Sequence, residues 1–344
     1  MLLIIFALVA AAFFIYRYYE EQRSFWTARG IDGPPAAFLW GNLRDLVRYD
    51  YPKALQLRDW AKVYGKVYGM HEGQRKFLVV SDLKMAEEIL AKQFDNFNAR
   101  AKFPLQASRQ SQKTNIVEAW GSHWKRLRAL GSPAFSNNAL KQILPTIDDS
   151  ARAMADILEE ESTSGDVNML EFFQEYTMDI ICKLALGKKD VKMFANPYVE
   201  VAKEVFSMPL NTPIHVVPCL FPFTADAWRA LLQKAGEFFG VSYAKLLRDL
   251  EAYVAQRKKE RAAGVTCDSN DMIDMFLDAE VDAADISYDD DSTTKQPISR
   301  QLGFDEVVSQ SAVFLLAGFE TTANSLAYVA HLLATHPHVQ ARLR

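Results

Sequence analysis

The stretch "FDEVVSQSAVFLLAGFETTANSLAYVAHLLATHP", from Phe304 to Pro337, decides the fold. Its apolar spacing predicts one helix from about Phe304 to Thr335. Asp305 and Glu306 in the first turn favour the N-terminal dipole, and Pro337 marks the end. Such a helix spans roughly 46 Å, enough to cross a whole domain. It is apolar nearly all round between Ala312 and Ala334, which predicts burial. A transmembrane span is the rival. There Glu320 would cost about 2.5–3.5 kcal/mol, and Asn324 and His331 add to it, so burial in protein is favoured.

The middle of the helix, "AGFETT", carries the chemistry. Gly318 lowers helix stability by about 1 kcal/mol against alanine. It also removes bulk, so that something flat can approach the backbone. Thr321 can turn its hydroxyl to the carbonyl one turn back, on Ala317, and strain or widen the helix. Glu320, directly before it, makes a proton source beside a hydroxyl relay, which suits proton delivery to a bound oxygen species. The plain alternative is a buried glutamate paired with an arginine, with threonines packing as small residues.

The 344 residues are 49% hydrophobic and 24% charged, which fits a globular chain with a substantial core. The net charge of −4 gives no sign of nucleic-acid binding. Cys182, Cys219 and Cys267 are sparse and widely spaced, which argues against a disulfide scaffold and gives no metal-ligand pattern. At the N-terminus "LLIIFALVAAAFFIY" is uncharged, with Arg17 and Arg23 after it. It spans roughly 22 Å, short of a bilayer core, and Tyr18 and Tyr19 extend it at the interface. With the first positive charges after the run, the positive-inside rule keeps the rest cytosolic. A cleaved signal peptide is the other reading, disfavoured because no basic residue precedes the run.

The expected organisation is an anchor and flank at 1–29, a stiff Gly/Pro connector at 30–43 and the main domain at 44–344. "YPKALQLRDWAKVYG" reads as a helix with Pro52 in its first turn. "KVYGMHEGQRKFLVVSD" reads as two strands around a turn at Glu72–Gln74, followed by a helix capped by Ser81 or Asp82. From about Leu140 onward the chain is mainly helical. "HVVPCLFPF" reads as an apolar loop, either a buried turn or a second membrane contact. The acidic stretch 277–300 reads as a solvated loop. The fold class is mainly α with a small N-terminal β-hairpin.

"AGFETT" resembles the A-G-x-[D/E]-T-[T/S] motif of the I helix of cytochrome P-450, the haem-thiolate monooxygenases. "HWKRLRALGSPAFSNNALKQILP" matches the C-helix pattern W-x-x-x-R at Trp124 and Arg128, with a continuation typical of animal microsomal members. The anchor, the connector, the hairpin and "FDNFNAR" fall where that family has them. The likeness is nearest to the 3A-like branch, including nematode relatives. It implies a haem cofactor, with Trp124, Arg128 and Arg100 as propionate partners and Ala317 and Gly318 against the haem face. It implies Thr321 as the oxygen contact and Glu320 as the proton donor. Substrate would touch the Arg100–Asn115 loop, Met208 to Leu210, and Phe314 to Ala317, Leu316 included. The implied partners are the endoplasmic reticulum membrane, an NADPH-dependent reductase and a lipophilic small-molecule substrate, with no nucleic acid. The catalytic domain would lie on the cytoplasmic face. Plain roles stand beside these: Trp124 as a core aromatic, Arg128 in a helix-face ion pair, Phe314 as packing.

The family holds its iron through a cysteine thiolate in an F-x-x-G-x-R-x-C-x-G bulge, and no stretch of this sequence matches it. The E-x-x-R motif of the following helix is not found either. The sequence therefore reads as an incomplete cytochrome P-450 fold ending just after the I helix, with no metal ligand assigned. Two readings follow: a monooxygenase whose remaining part lies outside this sequence, or a haem-free, catalytically inactive, truncated membrane-anchored protein.

Overall fold

Helix dominates the chain beyond residue 120, as the three- and four-residue apolar spacing requires. The computed structural model describes residues 2–100, 113–163, 165–188, 190–207, 213–239, 242–265, 271–280 and 301–343. In chain order the elements are α1 (Leu2–Arg23), α2 (Leu43–Leu46), α3 (Lys53–Tyr64), β1 (Val67–Glu72), β2 (Arg75–Val80) and α4 (Leu83–Glu87). Then come α5 (Gly121–Gly131), α6 (Asn137–Ser162), α7 (Met169–Leu186), α8 (Pro197–Ser207), α9 (Pro213–Leu220), α10 (Ala225–Phe239), α11 (Ser242–Ala262) and α12 (Met272–Asp278). The series closes with α13 (Phe304–Thr335) and α14 (Pro337–Leu343). Residues cluster into two compact units: Met1–Gln106 with Pro209–Lys234, and Ala107–Met208 with Ala235–Arg344.

In the first unit, β1 and β2 pair antiparallel from Val67↔Val80 to Glu72↔Arg75, so the expected hairpin and its turn are present. Tyr68 and Met70 turn inward against Leu46 and Trp60. The Gly/Pro connector is not a free linker. Asn42 donates to the carbonyls of Pro34 and Pro35, and its side-chain oxygen accepts from the His71 N–H at 2.9 Å. Trp26, just past α1, lies flat on Gly69, where any side chain would collide with the indole. Its Nε1 donates to the Met70 carbonyl at 3.1 Å. The chain leaving α1 is thereby fixed to the hairpin. α1 is long and apolar enough to cross a membrane, and its apolar window is not buried in protein.

The stretch "HVVPCLFPF" is a correction to the sequence reading: it is largely helical, within α9 and a short 3-10 turn at Pro222–Thr224. Pro213 fits the first helical position, and Pro218 costs one backbone hydrogen bond near the end. Cys219 and Leu220 are buried against Leu43, whereas Phe223 is exposed.

In the second unit, α13 runs over Phe304–Thr335 as expected and packs most extensively against α7. Met178, Cys182, Leu315 and Phe319 are fully buried between them. Gly318 is what lets the two helices approach. A β-carbon there would lie 2.8 Å from Ile181 Cδ1. The Thr177 hydroxyl donates across the interface to the Phe319 carbonyl at 3.0 Å. The expected burial between Ala312 and Ala334 holds along one face only, at Ala312, Leu315, Phe319 and Ala323; Ala317 and Thr321 are exposed, and so, further on, are Tyr328, Val329 and Leu332. Apolar composition alone could not show that no described element covers them.

Gly318→Val forces two methyl groups into the space held by Ile181. Denaturant unfolding should show a loss of about 1–3 kcal/mol, the usual cost of overpacking. Ile181→Ala in the same chain should recover part of that loss, so the double variant should be less destabilised than the sum of the two singles.

Candidate functional site

The second unit brings α5 and α13 together through one buried carboxylate. Glu306, at the third position of α13, is fully buried. It accepts from the backbone N–H of Gly303 at 2.9 Å, which is half of a capping box. His123 Nε2 lies 2.7 Å from its Oε1. Arg126 grips it with both terminal nitrogens, at 3.0 Å and 2.5 Å, and also donates to the Gln301 carbonyl. Burial pushes the Glu306 carboxyl up, but the hydrogen bonds from His123, Arg126 and Gly303 outweigh it and hold the group below its usual range. Eight residues further along each helix, the Phe314 ring reaches Gly131.

Trp124 and Arg128 stand one turn apart on α5, Trp124 half-buried at the core edge and Arg128 exposed. The Arg128 guanidinium makes no hydrogen bond or ion pair with the described residues. Arg100 is exposed and belongs to the first unit. Phe314 sits between Phe135 and Phe276, with ring centroids 5.7 Å and 6.0 Å away, and Leu316 packs on the same core. Leu210, Met208 and residues 101–112 of the expected substrate loop lie outside the described residues, as does Cys267.

On α13, Thr321 Oγ1 donates to the Ala317 carbonyl at 2.6 Å, the back-bond its spacing anticipates. The helix stays α-helical through this turn. Ala317 and Thr321 are both exposed and share a face with Ser325 and Tyr328. Gly318 is half-buried, and the direction in which it lacks a side chain is filled by Ile181. Glu320 lies about 100° around the helix from Thr321 and reaches α7. Its Oε2 accepts from Gln174 Nε2 and its Oε1 from Asn324 Nδ2, both at 3.1 Å. The arginine partner of the plain reading is absent among the described residues; two neutral amides take its place.

Sequence reasoning did not find His123, Arg126 or Gln174. His123 and Arg126 sit three apart and share a face of α5. That spacing was a usable signal, but its partner lies 180 residues away.

The donor set fits a flat, carboxylate-bearing group in part. An exposed guanidinium suits a carboxylate, and Ala317 presents a small apolar surface beside a hydroxyl. The described cysteines do not supply an axial thiolate. Burial pushes the Cys182 thiol up to about 11 against a weak hydrogen bond from Asn196, so it stays protonated at neutral pH. Burial raises Cys219 as well. No cluster of metal-ligating side chains occurs among the described residues.

Comparison with known proteins gives the class. The cytochrome P450 family profile matches residues 31–344, so the chain belongs to the cytochrome P450 family, whose cofactor is haem. Among similar proteins are three from Caenorhabditis elegans that are named as cytochromes P450. CYP13A10 is 38% identical over 95% of this chain and 65% of its own length. CYP13A7 and CYP13A3 are each 38% identical over 98% of this chain and 67% of their own lengths. The chain thus spans about two thirds of the length of these relatives.

Glu306→Gln leaves the Arg126 charge buried without its counter-charge and should destabilise the fold by about 3–5 kcal/mol near pH 7. The native carboxyl titrates below its unfolded value of about 4.3, so its contribution is complete above that value and lost as pH falls through the native one. Unfolding free energies measured from about pH 7 down to about pH 3 should show the wild type converging on the variant.

Proposed function

We propose that this protein acts as a membrane-anchored haem monooxygenase of lipophilic organic substrates, using dioxygen and electrons from an NADPH-dependent reductase. The observation that carries the reading is the turn Ala317–Thr321. It places a small methyl surface and a hydroxyl on one exposed face, with a carboxylate one residue away. When bound, haem supplies the oxygen chemistry. Arg128, with Trp124 beside it, would hold a propionate, and Ala317 would lie against the ring. Gly318 acts from behind, by letting α7 brace the helix. Phe314 and Leu316 offer apolar surface to a substrate.

Proton supply falls to Glu320 and Thr321, and the geometry sets a condition on it. The two side chains point about 100° apart around the helix. Glu320 must therefore leave Gln174 and Asn324 before it can pass a proton to the Thr321 side. Both amides are neutral, so the release strands no counter-ion. α1 would anchor the protein in the endoplasmic reticulum membrane, with Arg17 and Arg23 keeping the remainder on the cytoplasmic face.

The test is the carbon monoxide difference spectrum of the reduced, expressed protein. The long-wavelength Soret band of thiolate-bound haem would support this reading; with Cys182 and Cys219 buried and their thiols raised, the thiolate would have to come from Cys267 or from chain outside this sequence. Its absence would favour the haem-free reading and overturn this one. Where the band is present, Thr321→Ala and Glu320→Gln should each lower product formed per NADPH consumed, with turnover falling about 100-fold.

A further inference from the structure

The buried Glu306 cluster is larger than helix capping requires. A capping carboxylate needs one backbone N–H, and Gly303 supplies it. The bonds to His123 and Arg126 join a second helix. α5 is short, about 16 Å long, and its other contact with α13 named above, Phe314 on Gly131, is apolar. Apolar contacts are non-directional and tolerate sliding and rotation. The two-pronged Arg126 grip is directional: it fixes how far α5 is advanced and how it is turned about its axis.

At about 100° per residue, Trp124 and Arg128 lie roughly 100–140° around α5 from His123, and roughly 160° from Arg126. The side gripped by Glu306 is therefore opposite the side that carries Arg128. A one-residue rotation of α5 would swing Arg128 by about 100° and remove it from any fixed ligand. We propose that Glu306 is a positioning residue: acting through Arg126 and His123, it sets the orientation in which Arg128 meets a ligand carboxylate. Glu306 itself touches no ligand. The inference rests on the reading of Arg128 as a propionate holder.

The experiment compares two probes, haem and haem dimethyl ester, in which both propionates are blocked. Binding to the expressed protein in detergent is followed by quenching of tryptophan fluorescence. Wild type should prefer haem over the ester, and Arg128→Leu should abolish the preference. Glu306→Gln should cut the preference about tenfold while leaving affinity for the ester unchanged, the scale of one lost charge-assisted hydrogen bond. Arg126→Lys keeps the charge and loses the fork, so it should do the same. It decides the matter if circular dichroism shows Glu306→Gln unfolded. Variants that melt earlier yet keep the wild-type preference would overturn the positioning role while the reading of Arg128 stands. A wild type with no preference, or an Arg128→Leu variant that retains it, would overturn that reading and the inference together.

Discussion

The second unit depends on a carboxylate that never meets water. Glu306 begins the longest core helix and holds two basic side chains of a helix 180 residues earlier. Such a cluster adds little net stability over apolar packing, because desolvating the charges consumes most of what their attraction returns. What it adds is direction. Leu127 and the Phe314–Gly131 contact would be satisfied by many small displacements of α5. The Arg126 fork is satisfied by one.

A second constraint, at Gly318, works through α7. The missing side chain reads naturally as room for a flat ligand, but that space is filled by Ile181 of α7. The close approach also lets Thr177 reach the Phe319 carbonyl. α7 thus braces the helix on one side, and Ala317 and Thr321 are left on the other. A glycine in a ligand-binding motif can serve the ligand indirectly, by fixing the helix behind the surface that is offered.

Much of this was legible in the sequence because it is local. The bounds of α13, the hairpin, the Asp82 cap and the Thr321 back-bond each follow from residues within a few positions of one another. What was not legible is non-local. Nothing near Glu320 in the chain indicates Gln174, and nothing near Glu306 indicates His123 and Arg126. The loop reading of "HVVPCLFPF" failed for a different reason: it weighted two prolines over an apolar run that had a surface to bury against at Leu43. The exposure of α13 beyond Ala323 shows that periodicity fixes which residues share a face, but not what covers that face.

Glu306 and Glu320 are the same residue on one helix, fourteen positions and about 21 Å apart, and the charges around them differ. Glu306 is fully buried against the Arg126 guanidinium, His123 and a backbone N–H, so removing it would strand the Arg126 charge; it is held in one position. Glu320 is half-buried and, among the described residues, its carboxylate is hydrogen-bonded by the amides of Gln174 and Asn324. Those bonds orient it without neutralising it, and breaking them leaves two neutral groups whose exposure or burial costs far less than a stranded ion. A carboxylate that has to change position during proton transfer needs the second environment, and one that has to fix a helix needs the first. Under the proposed function, neutral rather than charged partners are what would let Glu320 move where Glu306 is held.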